Sequence, residues 1–325
     1  MILGHMIVVL AGGVGAARFL RGLVRVADPG EVTVIGNTGD DFIVYGVHVS
    51  PDLDIVTYTL GGAIDEERGW GLAGDTHHLL EELRALGADA WFTLGDRDYG
   101  VCLYRTLSLT AGQRLSDVTA RNAARFGAGV RLLPMTDDSV ETRVLIADEE
   151  GHERDLHFQE YWVRRGARDE VLSVRLAGAD RARPGPGVLE AIASADAVLL
   201  APSNPVVSIG TILSVPGIRE ALGVTPAPVV GVSPIIAGAP VRGMADKLMP
   251  SAGVEVTAAG AASLYRDFLD GWVIDLADAR LAPAIEELGA RVEVTQTMMR
   301  TVEDAAALAK TALELAGSIR KPEKR

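Results

Sequence analysis

Residues 7–10 (IVVL) are a short apolar run rich in β-branched side chains; GGVGAAR follows at 12–18, and Phe19, Leu20, Leu23 and Val24 recur at helical spacing behind it. Strand, glycine loop and helix in that order constrain the start of the fold more than any other segment. Glycines let a backbone approach a ligand closely, and the following helix offers unpaired amides and a positive dipole end to a phosphate. The expectation is a nucleotide or a phosphorylated substrate held against this loop. GGVGAAR is neither G-x-G-x-x-G with its distant acid nor the Walker G-x-x-x-x-G-K-[ST], so the loop alone does not name the ligand.

A second feature is acidic. NTGDD (37–41) and PDLD (51–54) place Asp40, Asp41, Asp52 and Asp54 just beyond apolar runs, in stretches read as strand and turn, residues 51–60 included. A buried, uncompensated carboxylate is costly, so such groups are hydrated, protonated or metal-bound, and an all-oxygen donor set points to magnesium. Taken singly, each aspartate also fits an exposed turn, Asp52 as part of a Pro-Asp turn.

The chain has 325 residues, of which 48% are hydrophobic, enough for one large domain or two smaller ones with a sizeable core. A net charge of -13 speaks against nonspecific nucleic-acid binding, which needs basic patches. The single cysteine, Cys102, excludes an internal disulfide framework and a multi-cysteine zinc site and suits a reducing compartment. No apolar stretch approaches the roughly 20 residues of a spanning helix, and no basic-then-apolar leader pattern opens the chain, so a cytoplasmic, non-membrane protein is expected. Residues 1–5 are set aside from the fold argument, and 321–325 read as a frayed tail.

Strand-like and helical segments alternate along most of the chain: a second strand at 32–35, helices at 76–86, 115–126, 188–194 and 305–316, and buried-type strands at 198–201 and 229–232. The predicted fold class is α/β, a Rossmann-like doubly wound, mostly parallel sheet. Between 131 and 175 the pattern changes to apolar/polar alternation at 140–146 and 157–163 around the turn DEEG (148–151), which predicts an antiparallel hairpin in a smaller inserted lobe. The expected organisation is a core of 1–130 and 176–325 interrupted by that lobe.

Loops at predicted strand ends carry the remaining chemistry. PSNPVVSIG (202–210) presents Ser203, Asn204 and Ser208 between fixed prolines, suited to phosphate oxygens or a base edge and equally to a turn with a capped helix. SPIIAG (233–238) repeats the logic, with Arg242 and Lys247 nearby as an anion-binding wall. GDRD (95–98) follows the apolar run 91–94 and reads either as a ligand loop or as a self-paired turn. Trp70, Phe158, Tyr161 and Trp162 could stack on a flat heterocycle, although core packing is the commoner role of such residues. The histidines offer no ready metal pair, and neither G-x-S-x-G nor H-E-x-x-H is present.

Taken together, GGVGAARFL, NTGDD, SPDLDIVTYTL, RGWGL, LGDRD, LPMTDD, HFQEYWV, APSNPVVSIGTIL, VSPIIAG and RGMADKLM, in this order across nearly the whole chain, resemble the 2-phospho-L-lactate transferase family of coenzyme F(420) biosynthesis. Its bacterial members are often described as phosphoenolpyruvate transferases, and GGVGAAR and NTGDD are closer to those than to archaeal forms. Ala16, where a glycine or threonine is frequent, and Thr211, in place of a proline, are small departures. The resemblance implies a homodimer, magnesium dependence and two small-molecule substrates: the deazaflavin Fo and a guanosine-diphosphate-activated three-carbon acid, phosphoenolpyruvate being favoured over phospholactate. By motif position it implies Asp40 and Asp54 as catalytic and magnesium-binding candidates, with Asp41 and Asp52 in support. It further implies Gly12, Gly13 and Gly15 against the diphosphate, Ser203 and Asn204 on the guanosine nucleotide, and Asp96 and Arg97 at the Fo pocket.

Two other readings compete. A related family of non-catalytic regulators that bind nucleotide sugars shares the glycine loop and a PSN-type motif, but PDLD, GDRD and FQEYW are motifs of the transferase. A NAD-dependent dehydrogenase would need a ribose-binding acid after the second strand, and none is evident.

Overall fold

The computed structural model describes residues 6–319; the segments 1–5 and 321–325 singled out above lie outside the described residues. Seven parallel strands form the central sheet: β1 (Ile7–Ala11), β2 (Val32–Gly36), β3 (Arg131–Pro134), β4 (Ala197–Leu200), β5 (Val229–Val232), β6 (Gly271–Asp275) and β7 (Arg291–Thr295). Their order is β7-β6-β5-β4-β1-β2-β3. The chain winds outward from β1 to β2 and β3, then returns past β1 to build the other half. The strand order therefore reverses between β1 and β4, which pair in parallel from Ile7↔Ala197 to Leu10↔Leu200.

The sequence explains why β1 sits in the middle. All five of its side chains are buried, as a strand covered on both faces requires. With a period of two, Val8 and Leu10 point into one core with Val198, Leu200, Ile212 and Ile274. Ile7, Val9 and Ala11 point into the other, with Phe19, Leu20, Leu308 and Ala312. Phe19 and Leu20 come from α1 (Gly13–Leu23), and Leu308 and Ala312 from the C-terminal helix Val302–Ser318. The doubly wound α/β core read from the sequence is the observed one.

Several local expectations are corrected. Residues 51–60 are not strand and turn but helix α2 (Pro51–Leu60), and GDRD opens a further helix, Asp96–Thr110. Ser50 stands at the N-cap position, Pro51 fits the first helical position and Asp52 and Asp54 complement the dipole in the first turn, which outweighs the strand propensity of Ile55, Val56 and Thr57. No strand forms over 91–94; that apolar segment packs instead beside the hairpin Phe42–Val44/Val47–Val49. Arg131–Pro134 is β3 of the central sheet, paired with β2, rather than the start of a lobe.

An antiparallel sheet is inserted after β3, with Glu141–Ala147 between Glu153–His157 and Glu170–Ala177. Its hairpin turns at the predicted place, but the second strand ends at His157, and Glu160–Arg164 coils into a wide helical turn. The lobe buries Val144, Ile146, Phe158 and Tyr161 against Val207, which follows β4, and against Met244 and Leu248. It is thereby fixed over the carboxyl ends of the central strands. No single helix among the described residues is long and apolar enough to cross a membrane; one bent pair, Pro205–Leu213 with Ile218–Val224, passes by composition, and its apolar residues Ile209, Ile212, Ile218 and Leu222 are core.

Candidate active site

In open α/β sheets the loops leaving two adjacent strands in opposite directions open a crevice at their carboxyl ends. Here that crevice, between β1 and β4, is a cavity of about 490 Å³ roofed by the inserted lobe. Gly12, Gly13 and Gly15 line it from β1, Ser203 and Asn204 from β4, Asp52 and Asp54 from α2, and Asp40 from the turn after β2. Trp70, Phe92, Phe158 and Trp162 give it an aromatic side, and Arg18 and Arg242 a cationic one.

The glycine loop is tied to the protein's own groups. The Gly12 amide donates to Ser203 Oγ (3.2 Å), and the Asp52 carboxylate stands beside Gly13 at the N-terminus of α1. Asn37 donates its Nδ2 to Asp52 Oδ2 (2.9 Å) and accepts the Gly39 amide on Oδ1 (2.9 Å). Burial first, and the neighbouring Asp41 charge, raise Asp52 to about 6 against the Asn37 and Gly13 hydrogen bonds. Asn204 Oδ1 accepts the Val206 and Val207 amides (2.9 and 3.2 Å), so this side chain caps its own turn.

Asp40, Asp52 and Asp54 form the buried acidic floor, 4%, 6% and 6% exposed. Burial, reinforced by Asp52, pushes Asp40 well above the ordinary carboxylate range. Asp54 is raised by burial and held back by Arg105, a side chain 2% exposed whose Nη2 donates to Asp54 Oδ1. Arg105 Nη1 also donates to the His48 carbonyl (3.1 Å). Asp40 Oδ1 and Asp54 Oδ2 are buried with no hydrogen-bond partner among the described residues. Unpaired buried carboxylate oxygens are rare because each forfeits its hydration, and a hard cation is one kind of partner that such an oxygen accepts.

Asp41 does not line the cavity: its Oδ2 accepts Ser50 Oγ (2.6 Å) and lies 3.0 Å from His48 Nε2, which fastens the β2 turn to the strand Val47–Val49. Asp96 and Arg97 are also elsewhere. Asp96 accepts Thr76 Oγ1 and the amides of His78 and Leu79, capping the helix His78–Ala85, and Arg97 is exposed. The cavity residue of GDRD is Asp98, which the sequence reading passed over. It accepts Tyr58 Oη (2.7 Å) and is raised to about 7 by burial and by Asp54. Tyr58 and Arg105 were likewise missed. Their signal was helical spacing: Asp54 to Tyr58 and Asp98 to Arg105 each return to one face after one or two turns.

A doubly wound α/β protein with a crevice at its topological switch point belongs to the class that binds small-molecule ligands there. Residues 7–311 match the 2-phospho-L-lactate transferase CofD family. Among similar proteins are "Phosphoenolpyruvate transferase" of Kitasatospora aureofaciens, 56% identical over 97% of this chain and 98% of that one, and of Mycolicibacterium smegmatis, 47% identical over 96% and 98%. A Bacillus halodurans crystal structure is similar in fold, with TM-score 0.63 at 18% identity, covering 95% of this chain and 99% of the other. The chain belongs to the 2-phospho-L-lactate transferase CofD family and is a transferase of coenzyme F(420) biosynthesis.

Proposed function

We propose that the protein transfers a phosphoenolpyruvyl group from its guanosine-diphosphate-activated donor to the ribityl hydroxyl of Fo, releasing GMP and giving dehydro coenzyme F(420)-0. The observation that carries the choice of donor is the match along 97% of the chain to proteins named phosphoenolpyruvate transferase, at 56% identity for the Kitasatospora aureofaciens protein. The 2-phospho-L-lactyl donor is the alternative, favoured by the name of the matched family.

The Fo hydroxyl oxygen attacks the phosphorus bearing the three-carbon acid; the bond from that phosphorus to the bridging oxygen breaks, GMP departs, and the hydroxyl proton passes to a base. Such a reaction needs positioning and charge neutralisation more than covalent help from the protein. The aromatic side of the cavity, Trp70, Phe92, Phe158 and Trp162, suits a flat deazaflavin, and the strand-end loops around Gly12 and Ser203 suit the nucleotide. Asp40 and Asp54 would hold magnesium through their unpaired oxygens. When bound, that ion supplies neutralisation of phosphate charge. Arg105 fixes the Asp54 carboxylate, and Asn37 fixes Asp52, so the floor keeps its shape before substrate arrives. A homodimer is part of the same proposal and rests on the family resemblance.

The test is an endpoint assay by mass spectrometry with Fo, magnesium and each of the two activated donors. A dehydro product alone supports the proposal, a saturated product alone transfers it to phospholactate, and no product from either overturns the proposed reaction.

A further inference from the structure

Most arginines whose contacts are defined answer to an acid: Arg21 to Glu66, Arg68 to Asp65, Arg105 to Asp54, Arg165 to Asp169 and Arg219 to Asp267. Arg18 and Arg242 do not. Both line the cavity, and among the described residues neither has a carboxylate partner; the one hydrogen bond of Arg242 is from Nη2 to the Arg68 carbonyl (2.7 Å).

The fold brings the two together. Val14 and Arg18 are four residues apart on α1 and share a face. A Cβ on Gly69 (φ +77°) would lie 2.9 Å from Arg242 Nη1 and 3.1 Å from Val14 Cγ1, so Arg242 and the Arg18 face of α1 converge on one bare backbone position. Burial and the Arg18 charge both lower Arg242 from the ordinary arginine range, as expected for two guanidiniums facing one space. Arg242 is an exposed residue, so solvent screens part of the repulsion between the two guanidiniums, and an anion seated between them removes the remainder. At the N-terminus of α1, the other anion position of the crevice, the Gly12 amide is bonded to Ser203 Oγ and the Asp52 carboxylate stands beside Gly13.

We propose that Arg18 and Arg242 form a two-guanidinium clamp for an oxyanion of the donor, a carboxylate or a phosphate. Guanidinium forks bind either group through paired N–H donors, which an ammonium does not reproduce. The clamp deepens the proposed reaction and rests on it for the identity of the donor; the binding of an oxyanion does not.

The experiment measures binding of pyrophosphate, GDP and phosphoenolpyruvate by calorimetry, and donor KM and kcat, for the wild type, Arg18→Gln, Arg242→Gln and Arg242→Lys, with thermal melts as the folding control. The expected result is at least a tenfold loss of affinity for one oxyanion class in both Gln variants, with Arg242→Lys recovering only part of it and the melts unchanged. Loss confined to pyrophosphate and GDP makes the clamp a phosphate site, and loss confined to phosphoenolpyruvate makes it a carboxylate site. Affinities for all three ligands within twofold of wild type in both Gln variants overturn the clamp. A wild type that binds these anions but forms no product from either activated donor overturns the proposed reaction and leaves the clamp standing.

Discussion

A Cβ placed on Gly12 would lie 2.7 Å from Asp52 Oδ2 and 2.8 Å from Ser208 Cβ, so the glycine at the end of β1 makes room for a carboxylate of the protein itself. That carboxylate stands at the head of α1, where a helix N-terminus favours an anion. Gly12→Ala is expected to destabilise the fold by about 1–3 kcal/mol, since one methyl must displace both neighbours. It should also raise donor KM, because Asp52 is joined through Asn37 to the β2 turn and to the Val207 carbonyl. Denaturant unfolding and initial rates check the two effects separately; an unfolding midpoint equal to wild type would contradict the packing argument.

The Arg105–Asp54 pair yields a prediction about stability. Both groups are buried, and removing one charge strands the other, which costs roughly 3–5 kcal/mol for a buried pair. Arg105→Met alone should show that loss, whereas Arg105→Met combined with Asp54→Asn should recover a substantial part of it, because no unpaired charge remains. A double variant as unstable as the sum of the singles would mean that Arg105 stabilises by packing rather than by pairing.

The same pair shows what the sequence disclosed and what it withheld. The β1–loop–α1 unit was legible because its signals are local: an apolar run, glycines, then helical spacing. The acidic segments stood out as composition, and Asp40, Asp52 and Asp54 line the cavity. Helix α2 was misread because Ile55, Val56, Thr57 and Thr59 favour strands, although Ser50-Pro51 and the early aspartates were helix-start signals. Asp98 was overlooked in favour of Asp96 and Arg97 because which residue of a first helical turn faces inward depends on where the helix begins. Arg105, 51 residues from Asp54, could not be matched to it by any spacing.

Asp98 gives a pH dependence whose sign can be worked out. Its carboxyl is raised to about 7 in the fold, chiefly by burial, against about 3.9 in an unfolded chain. Between those values the native protein keeps a proton that the unfolded chain has released, so stability falls as pH rises through the interval and levels off above it. Asp98→Asn keeps an acceptor oxygen for Tyr58 and removes the titration. The melting temperature of Asp98→Asn relative to wild type should therefore be several degrees higher at pH 8 than at pH 5, at about 2 °C per kcal/mol for a chain of this size. A constant difference across that range would show that Asp98 is ionised throughout.

Asp40 tests the magnesium assignment without recourse to turnover. Its Oδ1 is buried and unpaired, and burial together with Asp52 disfavours its charge. Without a cation, then, the charge is a liability, and Asp40→Asn should melt above wild type in the presence of EDTA. With magnesium at a hundredfold excess over Kd, a ligand that binds only the folded state adds about 2.7 kcal/mol, so wild type should gain several degrees while Asp40→Asn gains little. The order of the two proteins should therefore narrow or invert on adding the metal. Equal magnesium-induced shifts in both would move the cation away from Asp40 and leave its unpaired oxygen to be satisfied by substrate alone.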